Sequence, residues 1–285
     1  MVVDNNPKVS QRAIAAALRR YRHQAGVTLE EAAKAADYDA GSLSRAEQSK
    51  VTPHPAIIRA LLDFYGETNQ DVLNNYVALA KHGRRRGWWN RYSDLMTVAY
   101  VGLEGAATKI CSLENQLVPG LLQIDDYAKA LMAAEVENIP ELEVRRRLEV
   151  RAERRKILTR TEAPCELWTI MDESVLRRVI GSNSVMADQL DHLLEVSQLR
   201  NVTLQVLSFA SGAHGSLGSR FAVLQFPDPL DPGTVYLEQI HWHDEFVENA
   251  GQVQKFIDAF GRLQALAETP ARSRAMLEKA RDTLR

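Results

Sequence analysis

Between residues 8 and 82 the apolar positions recur at the three- and four-residue spacing of helices. In the first segment Ile14, Leu18 and Tyr21 share one stripe, while Arg12, Arg19, Arg20 and Arg22 lie mostly off it. Gly26 supplies a helix stop. Thr28 and Glu31 then form the Thr-x-x-Glu pattern of a capping box, in which each side chain covers an orphan N–H at a helix start. A short second helix is therefore predicted over 29–36. A turn at Asp37, Tyr38 and Asp39 leads to a third helix over 40–47. Two short helices that cross steeply need a small residue at the contact, which Ala33 provides, and Leu43 and Ala46 give the third helix its inward face. The turn calls for a residue that tolerates positive φ, and Asp37 stands in for the usual glycine. After Thr52-Pro53-His54-Pro55, a fourth helix has the stripe Ile57, Ile58, Leu61, Leu62 and Tyr65, and a fifth has Val72, Leu73, Tyr76 and Leu79.

The pattern changes after residue 82. Lys81-His82-Gly83-Arg84-Arg85-Arg86-Gly87 reads as a basic hinge, and the linker is placed at 83–91 with Trp88 and Trp89. A helix over 92–112 follows, with Leu95, Val98, Leu103, Ala106 and Ile110 as its inner face. An apolar loop over 117–123 breaks at Pro119-Gly120 and enters a short helix holding Tyr127, before a long charged helix over 141–160. Strand-like runs occupy 166–171, 202–209, 220–226 and 235–242, the last three separated by Gly- or Pro-rich loops as in an antiparallel meander. Helices are predicted at 173–180, 185–199, 253–267 and 271–283. The expected organisation is an all-α, five-helix head over 8–82 and an α+β body over 92–285, with an antiparallel sheet and packed helices.

Composition adds one asymmetry. Residues 1–87 carry 13 Lys and Arg against 9 Asp and Glu, whereas residues 88–285 carry 22 against 28, within a chain whose net charge is −2. A basic head on an acidic body suits a nucleic-acid contact confined to the head. Cys111 and Cys165 lie in apolar surroundings and fit no metal or redox spacing, so buried free thiols are expected. No apolar run approaches a membrane span and the N-terminal stretch lacks the hydrophobic region of a signal peptide, so a cytoplasmic, nucleoid-associated protein is expected.

The run LRRYRHQAGVTLEEAAKAADYDAGSLSRAEQSKVTPHP, with the apolar helix after it, resembles the Xre/Cro family of phage-repressor-like DNA-binding domains. The spacing from Thr28 through Ala33, Leu43, Ser44, Arg45 and Glu47 matches that family without a gap; Leu29, Asp37 and Ser49 depart from its usual Gln, Gly and Gly. The resemblance implies that the third helix enters the major groove by its N-terminal end. Ala40 and Gly41 then approach the bases, and Arg45 makes a bidentate contact to guanine O6 and N7. Ser42, Ser44 and Lys50 hold phosphates, Thr28 joins them as an expected contact, and Glu47 bonds within the head. Double-stranded DNA and a homodimer on two half-sites are the implied partners.

The body resembles a second group. WWNRYSDLMTVAYVGLEGAATKI, LVPGLLQIDDYAKALM, MDESVLRRVIG, GAHGSLGSRFAVLQF and VYLEQ are similar to the large C-terminal domain of WhiJ-like regulators of actinobacteria. That likeness implies a role in developmental and antibiotic-production control, with a small acidic partner protein. It also implies a competing role, antitoxin-like neutralisation of that partner, with DNA binding serving autoregulation. Glu114, Pro119, Gly120, Gln123, Tyr127, Arg151, Glu173, His214 and Glu238 are the candidate partner- or effector-binding residues; the alternative for each is a hydrogen-bonded role in holding the apolar loop to the sheet. His241 and His243 alternate along a strand with metal-compatible spacing, but only Glu238 or Asp244 is at hand as a third ligand, and no metal or cofactor is expected. The sequence has no His-Glu-x-x-His, Gly-x-Ser-x-Gly, Walker loop or strand–GxGxxG–helix unit, and Gly212–Gly218 reads as a connection between strands, so no enzyme is expected.

Overall fold

The computed structural model describes residues 6–95, 98–135, 138–228, 231–238 and 245–285. The chain divides into two compact units, one running to Arg91 and taking in Phe226–Asp231, the other formed by Tyr92–Gln225 and Pro232–Arg285.

The first unit contains the five expected helices: α1 (Pro7–Ala25), α2 (Leu29–Ala35), α3 (Ala40–Glu47), α4 (Pro55–Phe64) and α5 (Gln70–Gly83). Each start is capped by a side chain, from Asn6, Thr28, Asp39, His54 and Asn69 in turn. The first four ends share one device. A residue of positive φ follows the helix, and the next N–H reaches back five residues: Val27 to Arg22, Tyr38 to Ala33, Lys50 to Arg45 and Glu67 to Leu62. Glycine fills the left-handed position after α1 and α4 (Gly26, Gly66), whereas Asp37 and Ser49 fill it at φ 47° and 61° on either side of α3. The core beneath is Ile14, Leu18, Ala33, Leu43, Ala46, Leu61 and Leu73 with their neighbours. Arg12, which the sequence placed off the apolar stripe, is buried: it donates to Asp231 at 2.7 Å and lies 3.7 Å over the Phe226 ring. α5 runs to Gly83, and Trp89 is buried in the 3₁₀ turn Trp88–Tyr92.

The second unit is α+β, as the sequence indicated. Its helices are α6 (Val98–Ala106), α7 (Asp125–Glu135), α8 (Glu141–Arg155), α9 (Glu173–Arg177), α10 (Asn183–Val196), α11 (Ala250–Leu266) and α12 (Pro270–Leu284). Its strands are β1 (Lys109–Glu114), β2 (Glu166–Asp172), β3 (Val202–Leu207), β4 (Phe221–Gln225), β5 (Thr234–Leu237) and β6 (Glu245–Val247), in the order β3-β2-β1-β4-β5-β6.

Two expectations need correction. The sheet is mixed: β1, β2 and β3 run parallel, and only the β1–β4, β4–β5 and β5–β6 pairings are antiparallel. The run 202–209 is therefore not the first strand of a meander but an edge strand beside β2. The single helix over 92–112 is also wrong. The helix ends at Ala106, and from Lys109 the chain is β1, a central strand buried on both faces, where Ile110, Cys111, Ser112 and Leu113 give no alternation to betray it.

Leu113, Ile170, Phe221 and Val235 pack under α11 through Val253, Phe260 and Leu263. Cys111 and Cys165 are both buried free thiols, and burial pushes the first up to about 11 and the second up to about 12.

Candidate nucleic-acid interface

Burial sorts α3 into two faces. Leu43, Ala46 and Glu47 point inward, and Gly41, Arg45 and Gln48 are exposed at i, i+4 and i+7, with Ser42 and Ser44 half-buried beside them. The inner carboxylate is held by a fork: Arg22 donates from Nε and Nη2 to the two oxygens of Glu47 at 2.7 and 2.9 Å. Glu47 thus ties α3 to α1.

The outer face is organised from its N-terminal end. Asp39 accepts the Ser42 N–H at 2.6 Å, capping the helix, and Arg45 donates to the Ser42 hydroxyl at 2.7 Å. The guanidinium is turned back toward the helix start, the direction side chains of a helix favour. A methyl group on Gly41 would meet Arg45 Nη1 at 3.6 Å, an ordinary contact, but would come within 3.3 Å of Asp39 Oδ1, so the bare backbone leaves the capping carboxylate its place. The Ser42 hydrogen bonds, reinforced by the Arg45 charge, hold the Asp39 carboxyl below its usual range.

The remaining head candidates fall around this cluster. Ser44 accepts from Gln48 at 3.1 Å, which adds Gln48 to the outer face. Its periodicity with Arg45 was readable in the sequence, once Glu47 was assigned inward. Lys50 is exposed beyond the helix end. Ala40 packs partly against the core. The Thr28 hydroxyl is engaged in the capping box, accepting the Glu31 N–H at 3.2 Å and donating to the Glu31 carboxylate at 2.9 Å. An exposed carboxylate thereby covers the start of α2.

In the body the candidates form separate groups. Glu114, buried at the end of β1, accepts from Arg220 at 2.6 Å, and Arg220 also pairs with Glu238. Burial pushes the Glu114 carboxyl up. Pro119, Gly120 and Gln123 belong to the loop before α7, and Tyr127 to the first turn of α7. Gln123 donates to the Val118 carbonyl at 2.8 Å, and the Tyr127 hydroxyl accepts the Val118 N–H at 3.2 Å. Gln189 of α10 closes the loop by binding Ile124 N–H and Leu122 C=O, each at 2.8 Å. Glu173 accepts the Phe209 N–H at 3.1 Å, and His214 Nδ1 is buried without a partner. Arg151 lies on α8. A cleft of about 260 Å³ between β3 and α12, lined by Thr203, Arg274 and Leu277 among others, contains none of these residues. Sequence reasoning missed Glu104, whose carboxylate binds Arg154 through two bonds of 2.6 and 2.8 Å.

Among the described residues no group of three metal-ligating side chains occurs; His241, His243 and Asp244 lie outside them. No helix of the described residues is long and apolar enough to cross a membrane.

Comparison with protein families accounts for both units. A helix-turn-helix domain matches residues 13–74, which fits the α2–turn–α3 geometry and makes the head that of a DNA-binding regulator. A domain of unknown function (DUF5753) matches residues 97–279. No curated protein and no solved structure matches the chain significantly. With that second domain covering more than half of its length, the chain belongs to the DUF5753 family, here joined to a helix-turn-helix domain.

Proposed function

We propose that the chain is a sequence-specific, Xre-type transcription regulator whose head reads one DNA half-site with the outer face of α3, and whose body binds a small effector or an acidic partner protein. Arg45 reads guanine from the major groove, Gly41 permits the approach, and Ser42, Ser44 and Lys50 anchor the flanking phosphates. The carrying observation is the outer face of α3, where Arg45, Ser42 and Asp39 form one hydrogen-bonded set over a bare Gly41. An exposed arginine at rest on a neutral hydroxyl exchanges that bond for a base edge at little cost. The protein acts in the cytoplasm as a homodimer on an inverted repeat with half-sites about 34–36 Å apart.

The test is immunoprecipitation of bound DNA across the genome, comparing the natural protein with Arg45→Ala. Discrete peaks sharing a short inverted repeat, lost or broadened in the variant, support the reading. Equal enrichment by both proteins removes Arg45 from the bases, and no enrichment by either removes DNA binding from the function.

A further inference from the structure

On the inward side of α8, Arg147, Arg154 and Arg155 all have carboxylate partners: Glu143 at 2.7 Å, Glu104 at 2.6 Å and Asp125 at 2.9 Å. Arg151, in the middle of the same set, has neither a hydrogen bond nor an ion pair among the described residues. Its Nε is fully buried without an acceptor, and so is the Nε of Arg147 one turn earlier. Residues four apart lie on one helix face with their Cβ atoms about 6 Å apart. Two guanidinium groups on this face therefore have an unused N–H, and the Glu135 carboxylate that favours the Arg151 charge makes its contact with Arg147, at 3.8 Å, rather than with Arg151. Desolvation by burial, and then the Arg154 and Arg147 charges, push Arg151 down to about 10, which still leaves it cationic at neutral pH.

A half-buried cation among like charges is disfavoured unless an anion completes it. The guanidinium fork matches the two oxygens of a carboxylate or phosphate. The neighbourhood is also held in place: Arg154 lies against Gly120, where a methyl group would come within 3.3 Å of its Nη2, and Arg155 donates to the Gln123 carbonyl at 2.8 Å. We propose that the face of α8 carrying Arg147 and Arg151 is an oxyanion site, taking the carboxylate or phosphate group of a small molecule as the acceptor that Arg151 lacks. Partial burial favours a small anion over an acidic protein surface, because one oxyanion group reaches a recessed guanidinium that a flat surface does not. Control of DNA occupancy by this anion rests on the regulator reading above; the binding itself does not.

The experiment is thermal unfolding of the full-length protein in inorganic phosphate or malonate, with ionic strength held constant by NaCl. A rise of about 3–5 °C at ten times the dissociation constant is expected. Arg151→Met keeps the apolar stem, removes the unbonded charge and abolishes the rise, while unfolding without anion at or above the temperature of the natural protein. Arg145→Met, on the exposed side of α8, keeps the full rise. Side-chain Nε–H NMR signals of the natural protein give a second readout independent of any variant's folding: those of Arg147 and Arg151 shift with phosphate. An unchanged rise in Arg151→Met, or neither a rise nor a shifted signal in the natural protein, overturns the site. Protection by a polyglutamate peptide alone overturns the small-anion form in favour of an acidic partner. Operator affinity with and without phosphate separates the two readings: a thermal rise without a change in affinity leaves the site and removes the control.

Discussion

Arg45 of the head and Arg154 of the body are held in opposite ways. In the head, Arg45 is exposed and rests on a neutral serine, so its charge is solvated and available. In the body, Arg154 is recessed against Glu104, whose side chain is 1% exposed, and two short bonds join them. Solvated charge costs little to hold and is easily redirected, whereas buried charge is tolerable only when its partner is fixed. Arg45 is thus a redirectable charge, and Arg154 a structural lock of the kind that Arg22 makes with Glu47 in the head.

The sharpest way to break that contrast is to remove a lock. Glu104→Gln leaves Arg154 recessed without its anion and is expected to cost about 3–5 kcal/mol. In urea denaturation the body should unfold earlier, while operator binding by the residual folded protein keeps its sequence preference. A loss below about 1 kcal/mol, the range of an exposed pair, erases the distinction between the two arginines.

A smaller effect belongs to the capping box. Thr28→Ala removes the cap of α2 at about 0.5–2 kcal/mol. The contrast sharpens if this lowers the head's unfolding midpoint and leaves the body's alone. Operator affinity measured well below that midpoint should stay within about twofold, because the hydroxyl is committed to Glu31. A larger loss there returns Thr28 to the DNA.

The smallest effect is on acid stability. The Asp39 carboxyl is held below its ordinary value by the Ser42 bonds and then by Arg45, so its charged form is favoured in the folded head. Its contribution is therefore present above the unfolded value of about 3.9 and lost as pH falls through the lowered native one. Glu114 works in the opposite sense, since burial raises it and acid relieves its charge. Asp39→Asn keeps a capping acceptor without the charge. It should flatten the acid limb of head unfolding by a small, measurable amount, with no effect on the body's limb.

The head was legible because its signals are local. Thr28 and Glu31, Gly26, and the stripe of Leu43 and Ala46 each lie within a few residues of what they determine, and even Asp37 and Ser49 announced themselves by standing where glycine is usual. The body's features depend on distant pairing. β1 resembled a helix end because its buried residues show no alternation, and its neighbours on the sheet are strands far along the chain. Glu104 looked like one more helical acid, and nothing near it in sequence marks Arg154 as its partner, 50 residues on. Arg12 fell off the apolar stripe, and its burial was illegible for the same reason, since Asp231 is 219 residues away. The body's candidate residues were singled out along the sequence, which did not divide them into the separate clusters that the fold makes.

The place of β1 at the centre of the sheet also sets a timetable. Its antiparallel neighbour ends at Gln225, 117 residues beyond Thr108. At about 5–20 residues per second of synthesis, roughly 6–23 s pass between the two leaving the ribosome. The helices of the head need no such wait, because most of their contacts are local and local contacts fold fast. Each newly made copy therefore spends several seconds with an assembled helix-turn-helix and a body that cannot yet close its sheet.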